Sequence, residues 1–157
     1  TLRNLIPLPR LYAQCPPELS IVSADRVVDP GIPFELTAHD TPHLIVTRGE
    51  HSYEVGPFVI PGVTPCYQCS QLARAAQDPF HLTHLRELEA WPLAPLALLA
   101  HFAAAQRVGQ LVMDFVSGAL TESQCAQVAT ICDDGSVRVE DVEPASRCVC
   151  GINGLAS

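Results

Sequence analysis

Positive charge is scarce in this chain. Nine lysines and arginines face seventeen acids across 157 residues, a formal charge of −8. A nucleic-acid backbone is repelled by such a surface unless a basic patch exists, and the sequence holds none. Long apolar runs are missing too. The longest stretch, Trp91 to Ala105, contains Pro92, Pro95 and His101 and falls short of the ~20 residues a bilayer span requires, so a soluble protein is expected, with neither membrane nor nucleic acid as a partner. The nine glycines never form G-x-G-x-x-G or a P-loop, and Gly151 and Gly154 sit in a tail with no helix to follow. No nucleotide cradle is encoded in these residues. G-x-S-x-G and H-E-x-x-H are likewise absent. His39, Asp40 and His43 cluster ahead of a strand, where three polar residues read as a solvated turn rather than an acid/base group.

Against these absences stand seven cysteines, four of them in two tight pairs: Cys66-Tyr67-Gln68-Cys69 in the middle and Cys148-Val149-Cys150 near the end. Thiolates two or three residues apart can grip one ion through a tight turn, and two such knuckles make the tetrahedral Cys₄ shell that zinc prefers. One structural zinc per chain is the expected cofactor. A closed four-sulfur site keeps no position for water, so no catalytic role is expected of it. Two other readings stay open: a thioredoxin-like dithiol, since a C-x₂-C behind a proline opens a helix, and two disulfides. Seven cysteines without an evident secretory signal fit a reducing, cytoplasmic setting. Cys15, Cys125 and Cys132 read as small buried hydrophobes. His81 and His84, flanking the first knuckle's helix, are the only other candidate ligands nearby.

With 48% hydrophobic residues, the chain can build one ordinary core. Residues 1–17, rich in proline, read as an arm or linker, residues 18–151 as one α/β domain, and 152–157 as a tail. Leu19–Ser23 predicts a buried strand, Asp29–Leu36 a brief helical crossover, His43–Thr47 a second strand, and Ser52–Ile60 an extended return, giving a parallel pair with an antiparallel addition. A helix is expected over Ser70–Gln77. From Leu93 to Val116 a long helix confines its polar residues Gln106, Arg107, Gln110 and Asp114 to one stripe, so most of its surface must be covered, by the core or by another subunit. His101, across from that stripe, reads as a core histidine. Gln127–Cys132 and Val137–Val142 flank Asp133-Asp134-Gly135-Ser136, a hairpin turn.

The string Gly56-Pro57-Phe58-Val59-Ile60-Pro61-Gly62-Val63-Thr64-Pro65-Cys66-Tyr67-Gln68-Cys69, the following helix with Arg74 and Asp78-Pro79, the long alanine/leucine helix and the terminal Cys-x-Cys-Gly together resemble the ThiF-like proteins of ribosomal-peptide azole biosynthesis, relatives of the ubiquitin-activating and MoeB enzymes. The resemblance spans residues 18–151. It implies the C-terminal half of a Rossmann-related ThiF-like fold, a mixed sheet stapled by a Cys₄ zinc held by Cys66, Cys69, Cys148 and Cys150. It also implies a function: a non-catalytic partner that helps present a precursor peptide to a YcaO cyclodehydratase, as in bacteriocin biosynthesis. Separately, the apolar Leu93–Val116 helix leads to the expectation of a homodimer or heteromer. The family's winged-helix peptide-recognition element and the first half of its sheet have no counterpart in this sequence. A fragment or subunit of an active adenylating enzyme is the alternative reading, and a dithiol oxidoreductase the third.

Overall fold

The computed structural model describes residues 17–88 and 91–150; the expected arm, the tail and Cys15 lie outside the described residues. Five strands form one mixed sheet in the order β1-β2-β3-β4-β5. β1 (Ser20–Asp25) runs into α1 (Gly31–Ala38), which crosses over to β2 (His43–Arg48), parallel to β1. β3 (Ser52–Val59), β4 (Gln127–Cys132) and β5 (Val137–Asp141) each add antiparallel to the previous strand. Between β3 and β4 lie α2 (Tyr67–Gln77), α3 (His81–Leu88), α4 (Leu98–Ser117) and the single turn α5 (Glu122–Cys125).

Why these segments take these forms is largely a matter of period. β2 reads His-Leu-Ile-Val-Thr, with every one of these side chains buried, because both faces of this strand are covered. Leu44 and Val46 point to one face, where they pack with Val55, Phe58 and Ile131 beneath Ala104 and Leu111 of α4. His43, Ile45 and Thr47 point to the other, where Ile45 meets Val28 and Tyr67 and where α2 and the cysteine pairs lie. The polypeptide thus stacks α4 on one face of the sheet and its cysteine knuckles on the other. α4 ends at Gly118, whose φ of 73° lets the Ala119 N–H reach back to the Asp114 carbonyl. Thr121 and Gln124 cap α5 reciprocally.

Expectations need correction at several points. β1 is not buried: as an edge strand, its residues alternate between half-buried and exposed. The long helix begins at Leu98 rather than Leu93, with Ala97 as its N-cap. α2 begins at Tyr67, with Cys66 as its N-cap, so the helix starts inside the first cysteine pair rather than at Ser70. His101 is exposed rather than in the core; its Nδ1 lies 2.9 Å from the Ala97 carbonyl and its ring meets Tyr53 edge-on. His43 is not part of a solvated turn. It is fully buried, because it is the first residue of β2 and its Cβ points into the sheet's α2 side.

That last placement has a consequence for pH. His43 Nδ1 contacts the Thr41 carbonyl at 2.9 Å, while Nε2 is buried with no hydrogen-bond partner among the described residues. Burial lowers the pKa below the ordinary 6.5, against a smaller opposing effect of the Thr41 contact. The unfolded chain therefore binds this proton more readily than the folded one, so the neutral ring's contribution is present above pH ~6.5 and is lost as pH falls towards the lowered folded value. In His43→Asn, which keeps a donor to Thr41, the unfolding midpoint is expected to fall less steeply between pH 7 and 5 than in the wild type. Parallel slopes for the two proteins would rule the buried neutral imidazole out as a source of acid sensitivity.

Candidate metal centre

The two cysteine pairs meet on the sheet's α2 side. Pro61-Gly62 ends the extended run after β3, and the turn back is tied by Thr64, whose hydroxyl accepts from the Ile60 N–H at 2.8 Å. This turn delivers Cys66 to the N-terminus of α2, where its carbonyl accepts from the Cys69 N–H at 3.0 Å. After β5, Val142 anchors the chain by donating to the Ala126 carbonyl at 2.6 Å, and a turn at Ala145–Cys148 brings the second pair across.

Four sulfurs converge there. Cys66 Sγ lies 3.8 Å from Cys69 Sγ and 3.4 Å from Cys148 Sγ, and Cys69 Sγ lies 3.7 Å from Cys150 Sγ. All four lie within 4.8 Å of one another, with Cys66 and Cys69 buried and Cys148 and Cys150 half-buried. A tetrahedron with Zn–S bonds of ~2.3 Å has S···S edges of ~3.8 Å, so the spacing suits one ion with all four as ligands. A disulfide needs ~2.05 Å, and these are free thiols. Around the sulfurs, the Ala145 N–H donates to Cys69 Sγ at 3.4 Å, and Val59, Val128 and Val142 close the apolar shell.

The charge state of the bare cluster is uneven. Cys69 is drawn down to about 5, chiefly by the hydrogen bond it accepts from Cys66, while that same bond and burial push the Cys66 thiol up. Burial lifts Cys148 to about 11. Four thiols this close cannot all ionise together without a cation among them. The residues present therefore suit a soft divalent metal by number, spacing and donor chemistry, and could hold such an ion.

His81 and His84 are not part of the cluster. His81 Nε2 contacts Gln71 Oε1 at 3.3 Å, and His84 faces Asp78 and Phe80. Cys125 is fully buried on the α4 face, as a small hydrophobe, and Cys132 is half-buried at the end of β4.

A feature not legible in the sequence sits beside the centre, at the carboxyl ends of β1 and β2. Arg26 takes a left-handed φ of 59° and turns a 6%-exposed side chain inward, donating from Nε to Glu50 at 2.8 Å and from Nη1 to the Trp91 carbonyl at 2.8 Å. Arg74 of α2 pairs with Glu54 of β3 at 2.9 Å. Together with Tyr67 and Gln71 these residues line a small polar cleft at the strand ends, where open α/β sheets place ligands. No sequence pattern announces a left-handed arginine, so nothing in the sequence flags this cleft.

Among proteins of known sequence, no family model and no curated protein matches this chain. Solved structures do. The chain superposes on E. coli MccB with ATP at a TM-score of 0.68 and 15% identity, covering 94% of this chain and 44% of that one. Against E. coli MccB with selenomethionine MccA the values are 0.66 and 18%, covering 93% and 43%. Against the heterocyclase TruD they are 0.61 and 18%, covering 90% of this chain and 23% of TruD. The chain thus spans less than half the length of these structures. At such identities the likeness establishes the fold: this is an α/β polypeptide of the architecture found in MccB and TruD.

Proposed function

We propose that the chain is a zinc-stapled, non-catalytic partner in the modification of a ribosomally made precursor peptide, helping present that peptide to a YcaO-type cyclodehydratase. The observation that carries the reading is the coincidence of a four-thiol knuckle with a fold otherwise seen in MccB, which has been solved with the peptide MccA, and in a heterocyclase. Cys66, Cys69, Cys148 and Cys150 hold the metal, whose part is to fix residues 142–150 to the start of α2. Thiazole- or oxazole-forming chemistry takes place on the cyclodehydratase. Association with another subunit, of the same or a different kind, runs through the bare side of α4. The proposed setting is the cytoplasm; among the described residues no helix is long and apolar enough to cross a membrane.

The adenylating alternative rests on the same fold likeness, since MccB has been solved with ATP. Chemistry favours the partner role for this chain: its sequence has no glycine-rich phosphate loop to turn backbone N–H groups on a nucleotide. A dithiol oxidoreductase would use Cys66 and Cys69 and give no work to Cys148 and Cys150, which sit against them. The isolated chain is expected neither to bind ATP in calorimetry nor to exchange labelled pyrophosphate into it. In a reconstituted reaction with its cyclodehydratase and precursor peptide, omission of this chain should slow azoline formation at least tenfold, read by the 18-dalton loss per ring. Pyrophosphate exchange by this chain alone would replace the partner reading with the adenylating one.

A further inference from the structure

Thiolates gathered closely enough to share a metal are also close enough to oxidise one another, and their contacts decide which bonds oxidation makes. Four sulfurs can join two by two in three ways. Pairing within the knuckles would couple Cys66 to Cys69, which lie 3.8 Å apart, and Cys148 to Cys150. The second of these bridges would close a small ring with only Val149 between its ends, and so force the backbone there. Pairing across the knuckles takes the closest contact, Cys66 to Cys148 at 3.4 Å, and leaves Cys69 and Cys150 to each other at 3.7 Å. Each sulfur is then used once. Both pairs need to close by only roughly 1.5 Å to reach the ~2.05 Å of a disulfide. The third pairing, Cys66 with Cys150 and Cys69 with Cys148, uses neither contact.

Exposure decides where the reaction starts. Cys66 and Cys69 are buried, whereas Cys148 and Cys150 are half-buried on either side of Val149, which is 83% exposed. A peroxide therefore meets the C-terminal knuckle first. A thiolate there takes one peroxide oxygen to become a sulfenic acid, releasing one water as a proton is taken up. The facing thiolate of the first knuckle then attacks that sulfur and, with a second proton, expels a second water. For the whole cluster, two peroxides and four protons turn four thiolates into two disulfides and four waters. Disulfide sulfurs are not thiolate ligands, so the four residues give up their ion. The bridges nevertheless do for the chain what the metal did. They span 82 and 81 positions and hold residues 148–150 against the start of α2, the same two segments that the ion joins. Bridges of that span also restrict the unfolded chain far more than bridges inside a knuckle.

We propose that the cluster is an oxidative modification site, at which a peroxide converts Cys66, Cys69, Cys148 and Cys150 from metal ligands into the disulfides Cys66–Cys148 and Cys69–Cys150, so that the ion is released and the staple is kept. This rests on the metal reading and stands apart from the peptide role. The zinc-loaded full chain treated with hydrogen peroxide should release its zinc, read with a chelating dye, while its far-ultraviolet circular dichroism stays that of the untreated protein. Trypsin cuts after Arg48, Arg74 and Arg147, so the monomer band of a non-reducing gel should yield residues 49–74 and 148–157 as one linked species, four hydrogens lighter than the two peptides together. In a partly oxidised sample alkylated under denaturant, the singly bridged species should carry its labels on Cys69 and Cys150, or on Cys66 and Cys148. Hydrogen exchange over residues 142–150 should stay at the zinc-loaded rate after oxidation, although a chelator under reducing conditions raises it. Separate peptides each two hydrogens lighter, labels on Cys69 with Cys148 or on Cys66 with Cys150, loss of the circular dichroism signal, or zinc retained while these thiols oxidise would each overturn the proposal and leave the metal site standing. A chain that purifies metal-free with four freely titrating thiols would overturn the metal reading and this inference with it. None of these results bears on azoline formation.

Discussion

Cys66→Ser and Cys148→Ser are each expected to yield protein that fails to fold, while Cys132→Ser folds with a melting temperature within a few degrees of the wild type. The magnitudes decide this. A structural zinc site contributes roughly 10–16 kcal/mol, whereas a whole domain is stable by only about 5–15 kcal/mol. Loss of one ligand removes a large part of the first quantity, and the second has little in reserve. Soluble yield, far-ultraviolet circular dichroism and elemental analysis are the measurements: about one zinc per wild-type chain, none in the two variants. Equal damage from all three substitutions, or a metal-free wild type that is folded with four freely titrating thiols, would remove the metal site.

Chelation should act in a particular order along the chain. Every residue of β5 is exposed, and beyond it the segment to Cys150 is held by the Val142–Ala126 hydrogen bond, the Ala145 contact to Cys69 and the cysteines themselves. Hydrogen exchange after a chelator is added should therefore rise first over residues 142–150 and at the start of α2. β2 and β3, buried between α4 and α2, should follow later.

Elements whose residues announce their surroundings were legible in the sequence. β2 carries its apolar run Leu44-Ile45-Val46 because it is covered on both faces, and Asp133-Asp134-Gly135-Ser136 turns as its residue types require, with Gly135 at a φ of 81°. The cysteine spacing likewise foretold which sulfurs would converge. What escaped was set by partners distant in sequence. The polar stripe of α4 implied cover elsewhere on the helix, but not that only Ala100, Ala104 and Leu111 would be fully buried while Phe102 stayed bare. His43 and His101 exchanged their expected environments because a histidine suits either, and local sequence does not say which side of an element faces a neighbour. The Arg26–Glu50 and Arg74–Glu54 pairs depend on contacts made across 24 and 20 residues.

Gly56→Ala is expected to be as damaging as loss of a metal ligand, although it adds one methyl group. Gly56 lies where β3 leaves its pairing with β4: the ladder ends at Val55 opposite Ala129, and the register to β2 shifts between Leu44 and Val46. The chain crosses so close to β4 there that a Cβ would sit 2.1 Å from the Gln127 carbonyl oxygen and 3.1 Å from Val128 Cα. Both atoms are backbone, so no side-chain rotation relieves the contact. The φ of 118° compounds this, since side chains other than glycine's rarely accept it. The strands must separate, taking Phe58 and Val59 from the two cores they join and displacing the run into Cys66. The cost should exceed about 4 kcal/mol, the range reserved for overpacking combined with backbone strain. Gly62→Ala makes the control: its φ of 72° is also left-handed, but nothing lies within 4 Å of the new methyl, so only about 1–2 kcal/mol of strain is expected. Chemical denaturation should therefore find Gly62→Ala folded and modestly weakened, and Gly56→Ala without a cooperative transition. A cooperative Gly56→Ala with a midpoint near the wild type would mean that β3 and β4 do not approach as closely as described, and that the path from the sheet to the metal ligands is looser than the contact at Gln127 requires.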